Sequence, residues 1–213
     1  MKPHADQLIL EAGVPLKQAR AAMIMVHGRG SSADSILGLH AAIELDGIAY
    51  RAPQAAESTW YPLPFTSPIK KNEPSLSSAL WVIGRILDSI EDAGIASHRI
   101  MLLGFSQGAC LVLEYAARHP RRYGGVFGLS GGLIGPPGTE WKAVGSLEDT
   151  PVFLGCSDID FHIPKTRVQE SSEFLRRIGG DVTERLYPGM PHTINQDEVS
   201  FVQSVMQIVV DSE

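Results

Sequence analysis

Arg99-Ile100-Met101-Leu102-Leu103-Gly104-Phe105-Ser106-Gln107-Gly108-Ala109-Cys110 is the stretch from which the rest of the chain can be read. A short apolar run leads into Gly-x-Ser-x-Gly, and Ala109-Cys110-Leu111-Val112-Leu113-Glu114-Tyr115-Ala116-Ala117 follows at helical spacing. A strand passing directly into a helix leaves one residue at the corner. Gly104 and Gly108 keep side chains out of the crossing, so Ser106 is expected on a sharp, strained turn. The N-terminus of the following helix points its amides at the same place, which favours developing negative charge.

The segments on either side alternate strand with helix. Upstream, residues 8–12 suit a short edge strand. Ala21-Ala22-Met23-Ile24-Met25-Val26 is a continuous apolar run that stops at His27-Gly28-Arg29-Gly30, as a strand buried on both faces would. A helix is expected over 35–45, capped by Ser32 or Asp34, then a strand over 47–52. Residues 53–74 form a long irregular segment whose Trp60, Tyr61 and Phe65 argue for an ordered wall beside a site. Apolar spacing predicts a helix over 75–93, capped by Ser75 and ended by Gly94. Downstream come strands over 125–129, 151–155 and 182–187, and helices over 166–178 and 198–210. The fold class is therefore α/β: a mostly parallel central sheet with helices on both faces. One domain over residues 1–213 accounts for the chain.

Composition narrows the partners. The chain has 213 residues and a net charge of -6, with no basic run, which excludes nucleic acid. No apolar stretch reaches the ~20 residues that span a bilayer, so no stable membrane insertion is expected. No signal-peptide core follows Met1, and a cytoplasmic location is expected. Two cysteines, Cys110 and Cys156, read as buried thiols. The histidines show no ligand spacing on one element, so neither a metal nor a cofactor is expected.

In parallel sheets ligands sit beyond the carboxyl ends of the strands. Ser106, Asp158 or Asp160, and His192 all follow predicted strands. A serine needs a base, and the base an orienting acid. The order Ser, Asp, His matches the α/β-hydrolase fold. His4, His40, His98 and His119 are read as surface residues, His162 as rim, and His27 as shaping the Gly28-Arg29-Gly30 turn. The backbone N–H groups of Arg29 and Gln107 are the expected oxyanion donors, each worth about 3 kcal/mol in the transition state. The Arg29 and Gln107 side chains should matter far less.

Taken together, His27-Gly28-Arg29-Gly30, Trp60-Tyr61, Gly104-Phe105-Ser106-Gln107-Gly108, Leu129-Ser130-Gly131, Asp160-Phe161-His162-Ile163-Pro164 and Pro188-Gly189-Met190-Pro191-His192 resemble the phospholipase/carboxylesterase family of α/β-hydrolases. The resemblance runs from about Ala21 to the final helix. It implies Ser106 as nucleophile, His192 as base and Asp160 as acid, since Asp160 fits the family's Asp-x-x-[Val/Ile]-Pro pattern. Ser31 stands where the acyl-protein thioesterases of the family carry Asp, which looks more like the bacterial carboxylesterase branch. The implied activity is hydrolysis of short- to medium-chain carboxylic esters through an acyl-enzyme. Lysophospholipase or acyl-protein thioesterase activity is the alternative, and a non-catalytic binding protein a third reading. Residues 130–150 hold no strong helix, so no lid domain is expected. Trp60, Phe65, Leu133, Phe161 and Met190 are the expected substrate contacts. The alternating last strand could pair across a homodimer, although no apolar patch requires it.

Overall fold

The computed structural model describes residues 2–212. Seven strands form one sheet: β1 (Ile9–Gly13), β2 (Ala21–Val26), β3 (Ile48–Pro53), β4 (Ile100–Phe105), β5 (Gly125–Leu129), β6 (Pro151–Ser157) and β7 (Asp181–Tyr187). Their order is β1-β3-β2-β4-β5-β6-β7. All pairs are parallel except β1 with β3. The helices are α1 (Ala33–Leu37), α2 (Ser75–Asp92), α3 (Gln107–Arg118), α4 (Lys165–Arg177) and α5 (Gln196–Asp211).

The apolar runs explain the layering. Successive strand side chains point to opposite faces. Ala22, Ile24, Val26, Ile100 and Leu102 pack under α2 and α3, and Val152 and Leu154 join the same core with residues of α4. Ala21, Met23, Met25, Met101, Leu103, Phe127 and Phe153 face the other way, against α1 and α5. Strands apolar on both faces suit a sheet covered on both sides. After β2 the chain builds outward through β3, then returns past β2 to β4 and continues the other way. The crevice between the carboxyl ends of β2 and β4 is thus the topological switch point.

Some boundaries differ from those expected. The helix over 35–45 is shorter: α1 ends at Leu37, and 3-10 turns continue over Gly38–Ala42. Gly38 falls where the helix would propagate, and glycine disfavours a helix interior by about 1 kcal/mol. Ser32 is the cap, its hydroxyl accepting from the Ser35 N–H at 3.1 Å. Ser75 does not cap α2, because Pro74 holds that position. The Glu73 carboxylate instead accepts from the Ser77 N–H and hydroxyl. The helix α5 begins two residues early because Asn195 and Glu198 form a reciprocal capping box. Residues 130–150 contain no helix or strand. No helix among the described residues is long and apolar enough to cross a membrane.

Candidate active site

Ser106 sits between the last residue of β4 and the first of α3, at φ 54° and ψ −117°. A non-glycine residue in such a region costs on the order of 1–3 kcal/mol and must be held there by its surroundings. The Ser106 N–H donates to the Leu129 carbonyl at 2.9 Å, and its own carbonyl accepts from the Cys110 N–H at 3.0 Å. The flanking glycines are sterically required. A Cβ on Gly104 would overlap the Gly108 backbone, and one on Gly108 would overlap the Val26 carbonyl. Larger residues would push α3 off the sheet and move the serine.

His192, on the loop after β7, brings Nε2 to 2.9 Å from Ser106 Oγ. Its Nδ1 lies 2.6 Å from Asp160 Oδ2. The other Asp160 oxygen accepts from the backbone N–H groups of His162 (2.8 Å) and Ile163 (3.0 Å). Burial alone would raise the Asp160 pKa, but the bonds from His192 and from these two amides outweigh it and hold the carboxyl below its ordinary value. An ionised Asp160 can only accept, so Nδ1 carries the histidine proton. The Nε2 lone pair is then left facing the serine hydroxyl. Asp158 does not reach His192. Its Oδ1 accepts from the Gly189 N–H at 2.8 Å, tying down the loop that carries the histidine. The Phe105 ring packs against His192 with centroids 5.0 Å apart.

The turn after β2 lies opposite. Gly30, at φ 72°, takes a conformation that side chains disfavour. The Gly30 N–H donates to Ser58 and the Ser31 N–H to Gly28. Within the described residues nothing accepts from the Arg29 or Gln107 backbone N–H, and both residues line the cavity over Ser106. His27 is fully buried beneath the turn. The Ala55 N–H donates to its Nε2 at 3.1 Å, so Nδ1–H must donate to the Gly28 carbonyl at 2.7 Å.

The Arg29 and Gln107 side chains do more than the sequence suggested. The Arg29 guanidinium donates to the carbonyls of Tyr61, Pro62 and Leu63. Gln107 Oε1 accepts from the Trp60 N–H, and its Nε2 donates to the Tyr61 carbonyl, both at 2.9 Å. The irregular segment after β3 is thus fastened to the two residues that present the free amides. The Gly135 N–H donates to the Phe65 carbonyl, joining this segment to the loop after β5. That loop is braced by buried Arg167, which donates to the carbonyls of Leu133 and Gly135.

A cavity of about 650 Å³ opens over Ser106, with Tyr61, Pro62, Pro64, Phe65, Cys110 and Ile163 among its walls. Of the expected substrate contacts, Phe65 lines it and the other four do not. Trp60 is 0% exposed, donating its indole N–H to the His27 carbonyl as part of the floor under the turn. Leu133 is core, its backbone N–H held by Ser171 Oγ. Phe161 is 83% exposed, its ring tilted against that of His162. Met190 turns to Asn195, whose Nδ2 lies 3.0 Å from its sulfur. Tyr61, part of the wall expected beside the site, also lines it. Cys110 and Ile163 were missed; the helical spacing of Cys110 one turn past Ser106 was the available signal. Burial pushes the thiols of Cys110 and Cys156 up to about 12, so neither is a reactive thiolate. His4, expected at the surface, is buried. The Ala56 N–H donates to its Nδ1, and its Nε2 bonds the Trp60 carbonyl. His119 and His98 are exposed, as expected, while His40 is half-buried against Tyr50. His162 stands at the rim, 5.0 Å from His192 between ring centroids.

The Phospholipase/Carboxylesterase family model matches residues 10–210. The chain is 42% identical to a crystal structure of a phospholipase/carboxylesterase from Dyadobacter fermentans, with a TM-score of 0.92, covering 97% of this chain and 99% of that one. It is 32% identical over 118 residues to acyl-protein thioesterase 1 of Gibberella zeae, covering 54% of this chain and 50% of that protein. Over 140 residues it is 32% identical to the Kluyveromyces lactis protein of the same name, covering 62% of this chain and 61% of that protein. The alignments thus span only about half to three-fifths of these curated relatives.

Proposed function

The chain belongs to the phospholipase/carboxylesterase family, and we propose that it is a serine hydrolase cleaving short- to medium-chain carboxylic esters through an acyl-enzyme. One observation carries the reading. Asp160, His192 and Ser106 form a continuous hydrogen-bonded chain that ends beside two backbone N–H groups with no acceptor among the described residues.

His192 Nε2 takes the Ser106 proton as Oγ attacks the ester carbon. The charge that develops on the carbonyl oxygen is met by the N–H groups of Arg29 and Gln107, already in place. Asp160 stays ionised and stabilises the imidazolium. His192 then returns the proton to the departing alcohol. Water, activated by the same histidine, releases the acid. The cavity beside Ser106 receives the acyl chain against Tyr61, Phe65, Cys110 and Ile163.

Similarity to acyl-protein thioesterases favours a second reading, acyl-protein thioesterase activity. A p-nitrophenyl ester series from acetate to palmitate, with Ser106→Ala alongside, separates the two. The proposal expects Ser106-dependent activity that peaks at short to medium chains. Activity rising towards palmitate supports the second reading, and activity independent of Ser106 refutes both.

A further inference from the structure

His4 lies ahead of the residues that the family model matches, which begin at residue 10. It is buried all the same, and it grips a turn beside the active site. The His4 backbone N–H donates to Ser78 Oγ on α2 at 3.0 Å, and Lys2 Nζ stands 3.8 Å from the centre of the Trp81 ring on the same helix. So anchored, the imidazole reaches across residues 56–60. Its Nδ1 accepts from the Ala56 N–H at 3.0 Å, so the ring proton is on Nε2, which donates to the Trp60 carbonyl at 2.9 Å. One ring closes both ends of the turn.

The backbone between those ends is strained, and it holds the turn after β2. Glu57 and Ser58 are consecutive non-glycine residues at φ 51° and 53°. Residues in that region persist only where their surroundings hold them there. The Ser58 carbonyl accepts from the Gly30 N–H at 2.8 Å. Trp60 donates its indole N–H to the His27 carbonyl and its backbone N–H to Gln107 Oε1, both at 2.9 Å. Residues 58–60 are thus tied to both sides of Arg29, at His27 and Gly30, and to the side chain of Gln107.

We propose that His4 is a positioning residue for the oxyanion hole: by bridging Ala56 to Trp60 it keeps Ser58 and Trp60 where they hold the turn that presents the Arg29 N–H. This rests on the serine hydrolase reading above. His4 does not line the cavity over Ser106, so its effect passes through the bonds at Gly30 and His27. Oxyanion donors act on charge that exists only in the transition state. A loosened turn therefore slows the chemical step and leaves the binding of a small ester nearly unchanged.

The test is kcat and KM for p-nitrophenyl acetate in the wild type, His4→Phe, His4→Asn and Val209→Ala. His4→Phe keeps a ring in place and removes both nitrogens. Outright removal of an oxyanion donor costs roughly 10²–10³-fold in kcat, so displacing one should cost about 10-fold, with KM held within about 2-fold. Inhibition by a trifluoromethyl ketone, whose serine adduct puts an oxyanion in the same hole, should weaken by about the same factor. His4→Asn keeps an acceptor for Ala56 and gives up the bond to Trp60, so its loss in kcat should be smaller, about 3-fold. Val209→Ala opens the core at α5 and should lower Tm with kcat unchanged. Wild-type kcat and inhibition in either His4 variant that folds overturn the proposal. So does an equal fall in kcat in Val209→Ala, or a raised KM in place of a lowered kcat. Ser106→Ala alongside separates the two layers. Ser106-dependent turnover that is indifferent to His4 sinks this proposal alone, and turnover that persists in Ser106→Ala sinks the hydrolase reading with it.

Discussion

Replacing Gln107 by alanine should damage the protein through its side chain rather than its backbone amide. The carboxamide is 6% exposed and makes two bonds to the wall segment, accepting from the Trp60 N–H and donating to the Tyr61 carbonyl. Tyr61 keeps a partner, because Arg29 still donates to its carbonyl at 2.7 Å. Trp60 does not, and its buried N–H would be orphaned. Two lost bonds at about 1 kcal/mol each, with a desolvation penalty of about 1–3 kcal/mol for the orphan, give a loss of about 3–5 kcal/mol. For a domain of this size that lowers Tm by roughly 6–20 °C. The Gln107 N–H remains, so kcat should fall far less than the roughly 10²–10³-fold that follows removal of an oxyanion donor. A loosened Tyr61–Phe65 wall should instead raise KM for the longer acyl esters. The assay is thermal unfolding by circular dichroism, paired with kcat and KM on acetate and octanoate esters. A variant with wild-type Tm and wild-type KM would refute the claim that this side chain fastens the wall.

Other substitutions read different parts of the same geometry. Asp160→Asn should lower kcat by about 10⁴-fold by disturbing the histidine tautomer, whereas Asp158→Asn should leave the chemistry nearly intact and loosen only the Gly189 turn. Steady-state kinetics on one ester decide it, and the reverse ranking would reassign the acid. Glu198 is fully buried with Oε1 unpartnered, and burial pushes its pKa from 4.5 up to about 7. A raised carboxyl pKa means the folded state holds the proton more tightly than the unfolded chain. That stability is complete below about pH 4.5 and is lost as pH rises through about 7, by about 3 kcal/mol. Urea denaturation at pH 5 and pH 8 measures it, and Glu198→Gln should flatten the difference; an unchanged pH dependence in that variant would show that another group is responsible.

Much of the scaffold was legible because buried parallel strands announce themselves. The run from Ala21 to Val26 could be read as β2 to the residue, since each side chain enters one of two apolar cores. The Ser106 corner was legible for a steric reason, the mutual crossing of Gly104 and Gly108. Helix ends were harder, because capping competes locally: Pro74 displaced Ser75, while the Asn195 and Glu198 pairing extended α5. The substrate wall was least legible. Whether Trp60 or Tyr61 faces the cavity depends on Gln107 and Arg29 gripping the backbone between them, and those side-chain bonds leave no periodicity in the sequence. His4 was misplaced for the same reason, its burial being fixed by partners more than fifty residues away at Ala56 and Trp60.

Ser106, activated by His192, should carry the acyl group during turnover. Turnover of p-nitrophenyl butyrate quenched in acid, followed by peptide mass mapping, tests it most directly. A butyryl adduct of Ser106 is expected in the wild type and none in Ser106→Ala, with its formation slowed by orders of magnitude in His192→Ala. Turnover with no adduct on Ser106, or an adduct on another residue that survives Ser106→Ala, would contradict it.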